Sequence, residues 1–311
     1  MAVGANIKKR RYELGMSQQE LADAMGYKTR STIAKIESGE NDVSQKKLAR
    51  LAEVLDTTPE ALITGYLPTD KVVAVTSGSG KKNVVIILAG GRSVRNHQNI
   101  PNQFITVHGK PIIIYCMEVY EAHPAIDDIY VVCLKGWEDI VKAYAQQYGI
   151  TKLRGLVAGG ISGISSLKNA IDEIKDKYSK DDLVIIQEAT RPMVPTETVS
   201  RLLQTAKDTG SATLCHSMKD YVQFNLTDGK ATYVDRNSTI ALQSPEAHRL
   251  EIISEVFEVA RKKQHPLTET CCTMLLYNLG YHINFIESPV NNIKIVRKED
   301  IATFGALIKE S

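Results

Sequence analysis

The chain has 311 residues, with 38 Lys+Arg against 36 Asp+Glu and a formal net charge of +2 at pH 7. A hydrophobic fraction of 43% and a charged fraction of 24% are those of an ordinary globular protein, which excludes disorder throughout. Such a length predicts two domains, at roughly 100–200 residues each. No apolar run approaches the roughly 20 residues that a bilayer span requires, so no membrane partner is expected. MAVGANIKKRRYELG, at the start, has no apolar stretch behind its charges, so no secretory signal is expected. The five cysteines are odd in number and form no C-x-x-C pair, which argues against a disulfide framework or zinc ribbon and predicts a cytoplasmic protein. Near-neutral charge excludes massive nonspecific polyanion binding, though not a local basic face.

In chain order, the first segment reads as helices. Ile7, Leu14, Leu21, Ala22, Met25, Ile33, Ile36, Leu48, Leu51, Ala52 and Leu55 recur at helical spacings. Gly15 is expected to end the first helix. Ser17 and Glu20 read as a capping box on the second, which Gly26 closes. A third is predicted from Arg30 or Ser31 to Gly39, a fourth behind Ser44, and a fifth opening at Thr58-Pro59. The predicted product is a small all-α five-helix domain over 1–67. Residues 76–82, TSGSGKK, have linker composition and follow Pro68, which places a linker at 68–82 and a second domain at 83–311.

The string SQQELADAMGYKTRSTIAKIESGEND, 17–42, resembles the phage-repressor (xenobiotic-response-element) type of helix-turn-helix over residues 5–65. The resemblance implies operator DNA as a partner, with the second helix of the motif in the major groove. It turns Lys28, Thr29, Arg30, Ser31, Thr32 and Lys35 toward DNA. Arg30 suits guanine, and Ser31 or Thr32 suits either base type. Gln18, opening the preceding helix, is placed to touch a phosphate. Arg11 and Glu37 resemble the family's structural ion pair. The alternative is a helical bundle for protein contacts, since ten Lys+Arg against nine Asp+Glu up to residue 65 make no strongly basic unit.

From residue 83 the pattern changes. NVVIILAGG (83–91), IYVVCL (129–134), LVIIQ (183–187) and SATLCH (211–216) are apolar runs suited to buried strands. Helical stretches alternate with them, which predicts a doubly wound, mostly parallel, Rossmann-like α/β domain. YVQFNLTDGKATYVD (221–235) reads instead as a hairpin arm turning at Asp-Gly. After the first strand, Ala89, Gly90, Gly91 and Arg92 form a turn whose amides can approach phosphate oxygens.

Over residues 84–311 the motifs resemble the cytidylyltransferases that charge methylerythritol phosphate or ribitol 5-phosphate with CMP. The first loop matches through Ala89, Gly91, Arg95, Pro101, Gln103, Phe104, Gly109, Lys110 and Pro111. Gly159, Gly160 and Ser166 match a second motif, and Ala189, Arg191 and Pro192 a third. Asp235-Arg236, Gln243-Ser244-Pro245, Leu267 to Cys271, and Asn292-Ile293-Lys294 follow in order. The resemblance implies attack of a polyol phosphate on the α-phosphate of CTP, with Mg2+ on the phosphates. By position, Arg95 would steady the triphosphate, Lys294 the α-phosphate, Arg236 and Thr268 the sugar phosphate, and Glu188 the metal. Gly159, Gly160 and Ser166 would lie under the cytidine.

The departures bear on activity. Ser93 replaces a loop glycine, Asn102 the lysine of P-K-Q-F, Gly163 an arginine, Gln187 a histidine and Glu188 the metal aspartate. Loss of one electrostatic donor costs about 10²–10³ in rate, which predicts weak or absent turnover unless Arg92 or Lys110 substitutes. Two principal readings follow. One is a DNA-binding regulator whose second domain senses CTP, a CDP-polyol or a polyol phosphate. The other is an active CTP:polyol-phosphate cytidylyltransferase fused to a helix-turn-helix. A purely structural pair of relic domains is a third. A homodimer is expected, with the 217–241 arm reaching across and Arg236 completing the partner's pocket. The histidines, Trp137 and Cys271-Cys272 are expected to pack rather than ligate.

Overall fold

The computed structural model describes residues 2–41, 43–57, 59, 62, 80–92 and 100–309. Two compact units emerge, Met1–Val73 and Ala74–Ser311. Most of the predicted linker, most of the predicted fifth helix, and the loop carrying Ser93 and Arg95 lie outside the described residues. Among the described residues no helix is long and apolar enough to cross a membrane.

The first unit contains α1 (Ala2–Glu13), α2 (Gln18–Ala24), α3 (Ser31–Ser38) and α4 (Gln45–Val54). Ser17 and Glu20 make the reciprocal capping box, and the Ser44 hydroxyl accepts from Lys47 N–H; each cap satisfies amides that have no intrahelical partner. Ile7, Leu21, Ile33, Ile36, Leu51 and Leu55 close one core. α1 meets α3 at Gly4, where a Cβ would lie 2.2 Å from the Ile36 carbonyl oxygen. Leu14 departs from the expectation: it is 39% exposed, because α1 ends at residue 13 and the turn carries Leu14 off the buried face.

The second unit is built on β1 (Asn83–Ala89), β4 (Asp128–Cys133), β5 (Leu153–Ala158), β6 (Leu183–Glu188), β7 (Ser211–Ser217), β10 (Ile240–Arg249) and β11 (Phe285–Glu287). They form one sheet in the order β11-β7-β10-β6-β1-β4-β5. Only β10 runs against its neighbours β6 and β7; the other pairings are parallel. Helices cover both faces. Val85 and Ile87 pack toward α5 (Ile112–Ala122), α6 (Glu138–Gln147) and α8 (Thr196–Thr209). Val84 and Ile86 pack toward α7 (Gly163–Ile174), α9 (Leu250–Lys262) and α10 (Cys272–Asn278). Burial on both faces explains why these strands read as continuous apolar runs. Two short strands, β2 (Thr106–Val107) and β3 (Lys110–Pro111), precede α5, and α11 (Lys298–Leu307) packs over them through Phe304.

The arm is the hairpin β8 (Gln223–Thr227) and β9 (Lys230–Val234), turning at Asp228 (φ 51°) and Gly229 (φ 75°). Phe224 pairs with Tyr233 across it, ring centroids 6.0 Å apart. Leu226, on the same face as Phe224, is 80% exposed.

Asp128 organises the edge where the chain enters the sheet. Its buried carboxylate meets Lys82 Nζ at 3.0 Å, Arg154 Nε at 2.5 Å and the Tyr178 hydroxyl at 3.0 Å. Burial pushes this carboxyl up, but those hydrogen bonds together outweigh it and hold it below the usual carboxylate range. The stabilisation is therefore present above the unfolded value of about 3.9 and disappears as pH falls through the lower folded value. Asp128→Asn is expected to cost about 1.5–3 kcal/mol at pH 7. Urea unfolding followed downward from pH 5 should show a shallower loss of stability in the variant than in the parent; parallel curves would contradict this.

Candidate functional site

In the first unit, α3 buries Ile33, Ile36 and Glu37 and turns its opposite side outward. Lys28, Thr29, Arg30, Ser31 and Lys35 are exposed and Thr32 half-buried, with the Thr29 and Ser31 hydroxyls 2.8 Å apart. This hydroxyl-rich, cationic helix start is the shape and chemistry of a groove-reading surface. The helix is fixed from behind. Glu37 accepts from Arg11 Nε at 2.6 Å and from Arg11 Nη2 at 3.0 Å, a bidentate pair that is nearly fully buried. Gln18 does not simply face outward. Its amide donates to Glu37 at 2.8 Å, so it joins this brace and keeps one N–H and its carbonyl oxygen for other partners. Arg10 likewise turns inward, donating to the carbonyls of Leu55 and Asp56 at the end of α4.

In the second unit a cavity of about 480 Å³ opens beyond the carboxyl ends of β1 and β6, lined in part by Ala89, Gly91, Asn102, Gln103, Glu188, Arg191, Thr270, Cys271 and Lys294. Open α/β sheets bind ligands in this place. Gln103 fixes the first loop: its amide donates to the carbonyls of Ala89 (2.7 Å) and Gly91 (2.8 Å). Phe104, stacked on Trp137 at 4.1 Å, is buried in the same core cluster as Ala89. Across from it, a Cβ on Gly90 would come to 3.6 Å from the Gly159 Cα, and one on Gly160 to 2.4 Å from Ser165 Oγ. Gly160 N–H donates to Ser166 Oγ at 2.9 Å. These glycines and Ser166 therefore form one close-packed backbone platform.

The charged groups are few. Glu188 receives Lys294 Nζ on Oε1 and Arg191 Nε on Oε2, the latter at 2.9 Å. Arg191 is itself anchored by donating to the Asn292 carbonyl at 2.7 Å. Asn102, at the position of the missing lysine, is 3% exposed. Its amide donates to the carbonyls of Ile295 (3.2 Å) and Val296 (3.0 Å), so it ties down the segment carrying Lys294. Among the described residues no three His, Cys, Asp or Glu cluster as a metal site. A single carboxylate with both oxygens paired does not hold a metal by itself. It suits one that arrives already ligated by phosphates.

Other predicted residues stand apart. Arg92 is exposed and off the cavity lining, and Lys110 is ion-paired to Glu118 at 2.7 Å; neither replaces the lost cation in the described structure. Arg236, on a 3-10 turn after the arm, and Thr268 are both exposed and outside the lining of this chain's cavity. The rim is supplied by Thr270 and Cys271 instead. Burial pushes the Cys271 thiol up to about 11, with the charge of Glu246 adding to it, so it is not an activated nucleophile. Glu246 also lines the cavity. Sequence reasoning missed it because its partners are main-chain amides on a helix far along the chain. Its only sequence signal is its place directly after Gln243-Ser244-Pro245.

Comparison with known proteins adds to this geometry. The family model for 2-C-methyl-D-erythritol 4-phosphate cytidylyltransferase matches residues 83–310, and a helix-turn-helix model matches residues 7–62. The ribitol-5-phosphate cytidylyltransferase of Lacticaseibacillus paracasei is 31% identical over 227 residues, covering 72% of this chain and 97% of that protein. A 2-C-methyl-D-erythritol 4-phosphate cytidylyltransferase of Clostridium botulinum is 29% identical over 222 residues, covering 71% of this chain and 94% of its own. Among solved structures, 4-diphosphocytidyl-2C-methyl-D-erythritol synthase from Anaerococcus prevotii shares the fold, with TM-score 0.64 and 20% identity over 74% of this chain and 97% of its own.

Glu37→Ala should leave the Arg11 guanidinium buried without its partner, at a cost of about 3–5 kcal/mol. Thermal unfolding should then show the helical unit melting early while the α/β unit keeps its transition. An unshifted first transition would contradict the brace.

Proposed function

The chain belongs, through residues 83–310, to the 2-C-methyl-D-erythritol 4-phosphate cytidylyltransferase family, and from that premise we propose that it is a cytoplasmic DNA-binding transcriptional regulator whose α/β unit binds CTP, a CDP-polyol or a polyol phosphate as a sensor. The observation that carries this reading is Asn102. Where the family motif has a lysine, this chain has an uncharged amide committed to two main-chain carbonyls. Transition-state charge on a transferring phosphoryl group needs preorganised cations. The pocket keeps the shape for recognition and lacks a main source of that charge.

Binding chemistry remains. Gly91, in the turn after β1, lines the cavity, and Lys294, 38% exposed at its side chain, can leave Glu188 for a phosphate oxygen. Arg191, 12% exposed, stays as the fixed partner of Glu188. Glu188, on the oxygen that Lys294 releases, would hold magnesium carried in on the phosphates, which would supply charge neutralisation there. For the signal, ligand must bind one arrangement of the protein better than another, and operator affinity must differ between the same arrangements.

The arm supports a homodimer. Val222, Phe224, Leu226 and Tyr233 are large exposed apolar residues on or beside this hairpin. A second copy would cover them, and Arg236 at its base would complete the partner's pocket. Paired helix-turn-helix units would then read paired half-sites. The alternative, an active cytidylyltransferase fused to the helix-turn-helix, is favoured by the retained Lys294 and by a carboxylate, Glu188, at the metal position, both in the cavity lining.

Asn102→Lys is expected to raise pyrophosphate release from CTP, magnesium and ribitol 5-phosphate by about 10²–10³ over the parent. A parent already turning over rapidly, or no gain in the variant, would contradict the missing-charge account. Arg30→Ala with Lys35→Ala should weaken operator binding in fluorescence anisotropy by about tenfold or more, the scale of a lost bidentate base contact. Equal affinity would mean that α3 does not read the groove.

A further inference from the structure

Behind the cavity rim lies a buried polar network that the proposed ligand contacts do not use. Glu246 is 4% exposed. Its Oε1 accepts from Cys272 N–H at 3.0 Å and its Oε2 from Thr273 N–H at 2.8 Å. The Thr273 hydroxyl donates to the same Oε2 and lies 2.5 Å from the Thr213 hydroxyl on β7. His248, two residues along β10 and fully buried, places Nε2 at 3.6 Å from Oε2 while Nδ1 meets Ser211 Oγ at 2.8 Å. Burial works to protonate Glu246, yet His248 and Thr273 together hold its carboxyl below the usual range. An ionised carboxylate thus joins the sheet to the first turn of α10.

What this attachment holds is the rim. Thr270 and Cys271, directly before α10, line the cavity. The turn leading to them is tied to the other end of the same helix: Glu269 Oε1 meets His265 Nε2 at 2.5 Å and Asn278 Nδ2 at 3.0 Å. Glu269 thus ties His265 to Asn278 across this segment, and Glu246 is its polar attachment to β10. Lys294 and Arg191 come from other segments, so the cavity has a cationic side and, separate from it, the Thr270–Cys271 edge.

We infer that Glu246 is a positioning residue of the ligand cavity: by holding the amides of Cys272 and Thr273, it sets the Thr270–Cys271 edge against which the hydroxyl-bearing part of a phosphorylated ligand rests. This deepens the sensor reading and relies on it only for the identity of the ligand. Gln is nearly isosteric with Glu but turns one acceptor into a donor that faces another N–H, so it breaks the clamp without opening a cavity.

The test uses the full-length chain and Glu246→Gln. Hydrogen exchange should quicken at least tenfold over 267–275, with the central strands β1 and β4 unchanged. By calorimetry, the Kd for ribitol 5-phosphate should rise about tenfold, while that for inorganic pyrophosphate, which reaches only the cationic side, stays within twofold. Exchange over 267–275 that is unchanged in both Glu246→Gln and Glu246→Ala, or equal weakening of both ligands, would overturn the inference. The exchange arm needs no ligand, so a parent that binds neither compound would sink the sensor reading and leave the clamp to be decided by exchange alone. Should Gln prove tolerated as a hydrogen-bonding substitute, Glu246→Ala leaves two buried amides unpaired and must produce the same local pattern.

Discussion

Glu188 and its two cations set the character of the cavity. With Lys294 on one oxygen and Arg191 on the other, the positive charge of the described cavity lining is already engaged before any ligand arrives. Opposite charges a few ångströms apart in a partly desolvated site attract strongly. An incoming phosphate must therefore compete with Glu188 for Lys294, and a metal must compete with Lys294 for Glu188. Each makes room for the other. The arrangement favours a ligand that delivers anion and cation together, and among the described residues of the cavity lining it leaves little unopposed cationic field.

That triad is held from the sheet by one strand. β10 shifts register between Gln243 and Glu246, and this irregular stretch touches three walls. Ser244 Oγ accepts from Glu188 N–H at 3.2 Å. Asn292, two residues before Lys294, donates to Gln243 Oε1 and to the Ser244 carbonyl. Glu246 holds the start of α10. A bulge that redirects side chains toward a site is a recurrent device, and here the irregular stretch lets a single strand register the Glu188 carboxylate, the segment of Lys294 and the rim. Asn102 adds the last tie, from the first loop to the segment after Lys294.

Much of this was legible in the amino-acid sequence, and the residues show why. The apolar runs of β1, β4, β6 and β7 are buried on both faces, so composition alone marks them. Ser17, Glu20 and Ser44 cap through contacts three residues away, which spacing reveals. Arg11 and Glu37 pair as the helix-turn-helix resemblance implies. Long-range partners were not legible. The missing lysine at 102 could be seen, but not that its replacement donates to carbonyls nearly 200 residues away. Leu14 fitted the helical period yet fell past the end of α1. Lys110 was close in sequence to the lost cation, but Glu118, on the next helix, takes it. Arg236 and Thr268 matched motifs, while the rim of a single chain's cavity is made by Thr270 and Cys271.

The proposed sensing role differs from catalysis in leaving the bound nucleotide unconverted. The most direct measurement is to incubate the purified chain with CTP, magnesium and ribitol 5-phosphate at concentrations that saturate the site, isolate the complex, and identify the bound nucleotide by mass spectrometry. The account requires bound CTP, intact and stoichiometric with the chain after many hours. Recovery of CDP-ribitol, with pyrophosphate released in equal amount, would contradict it.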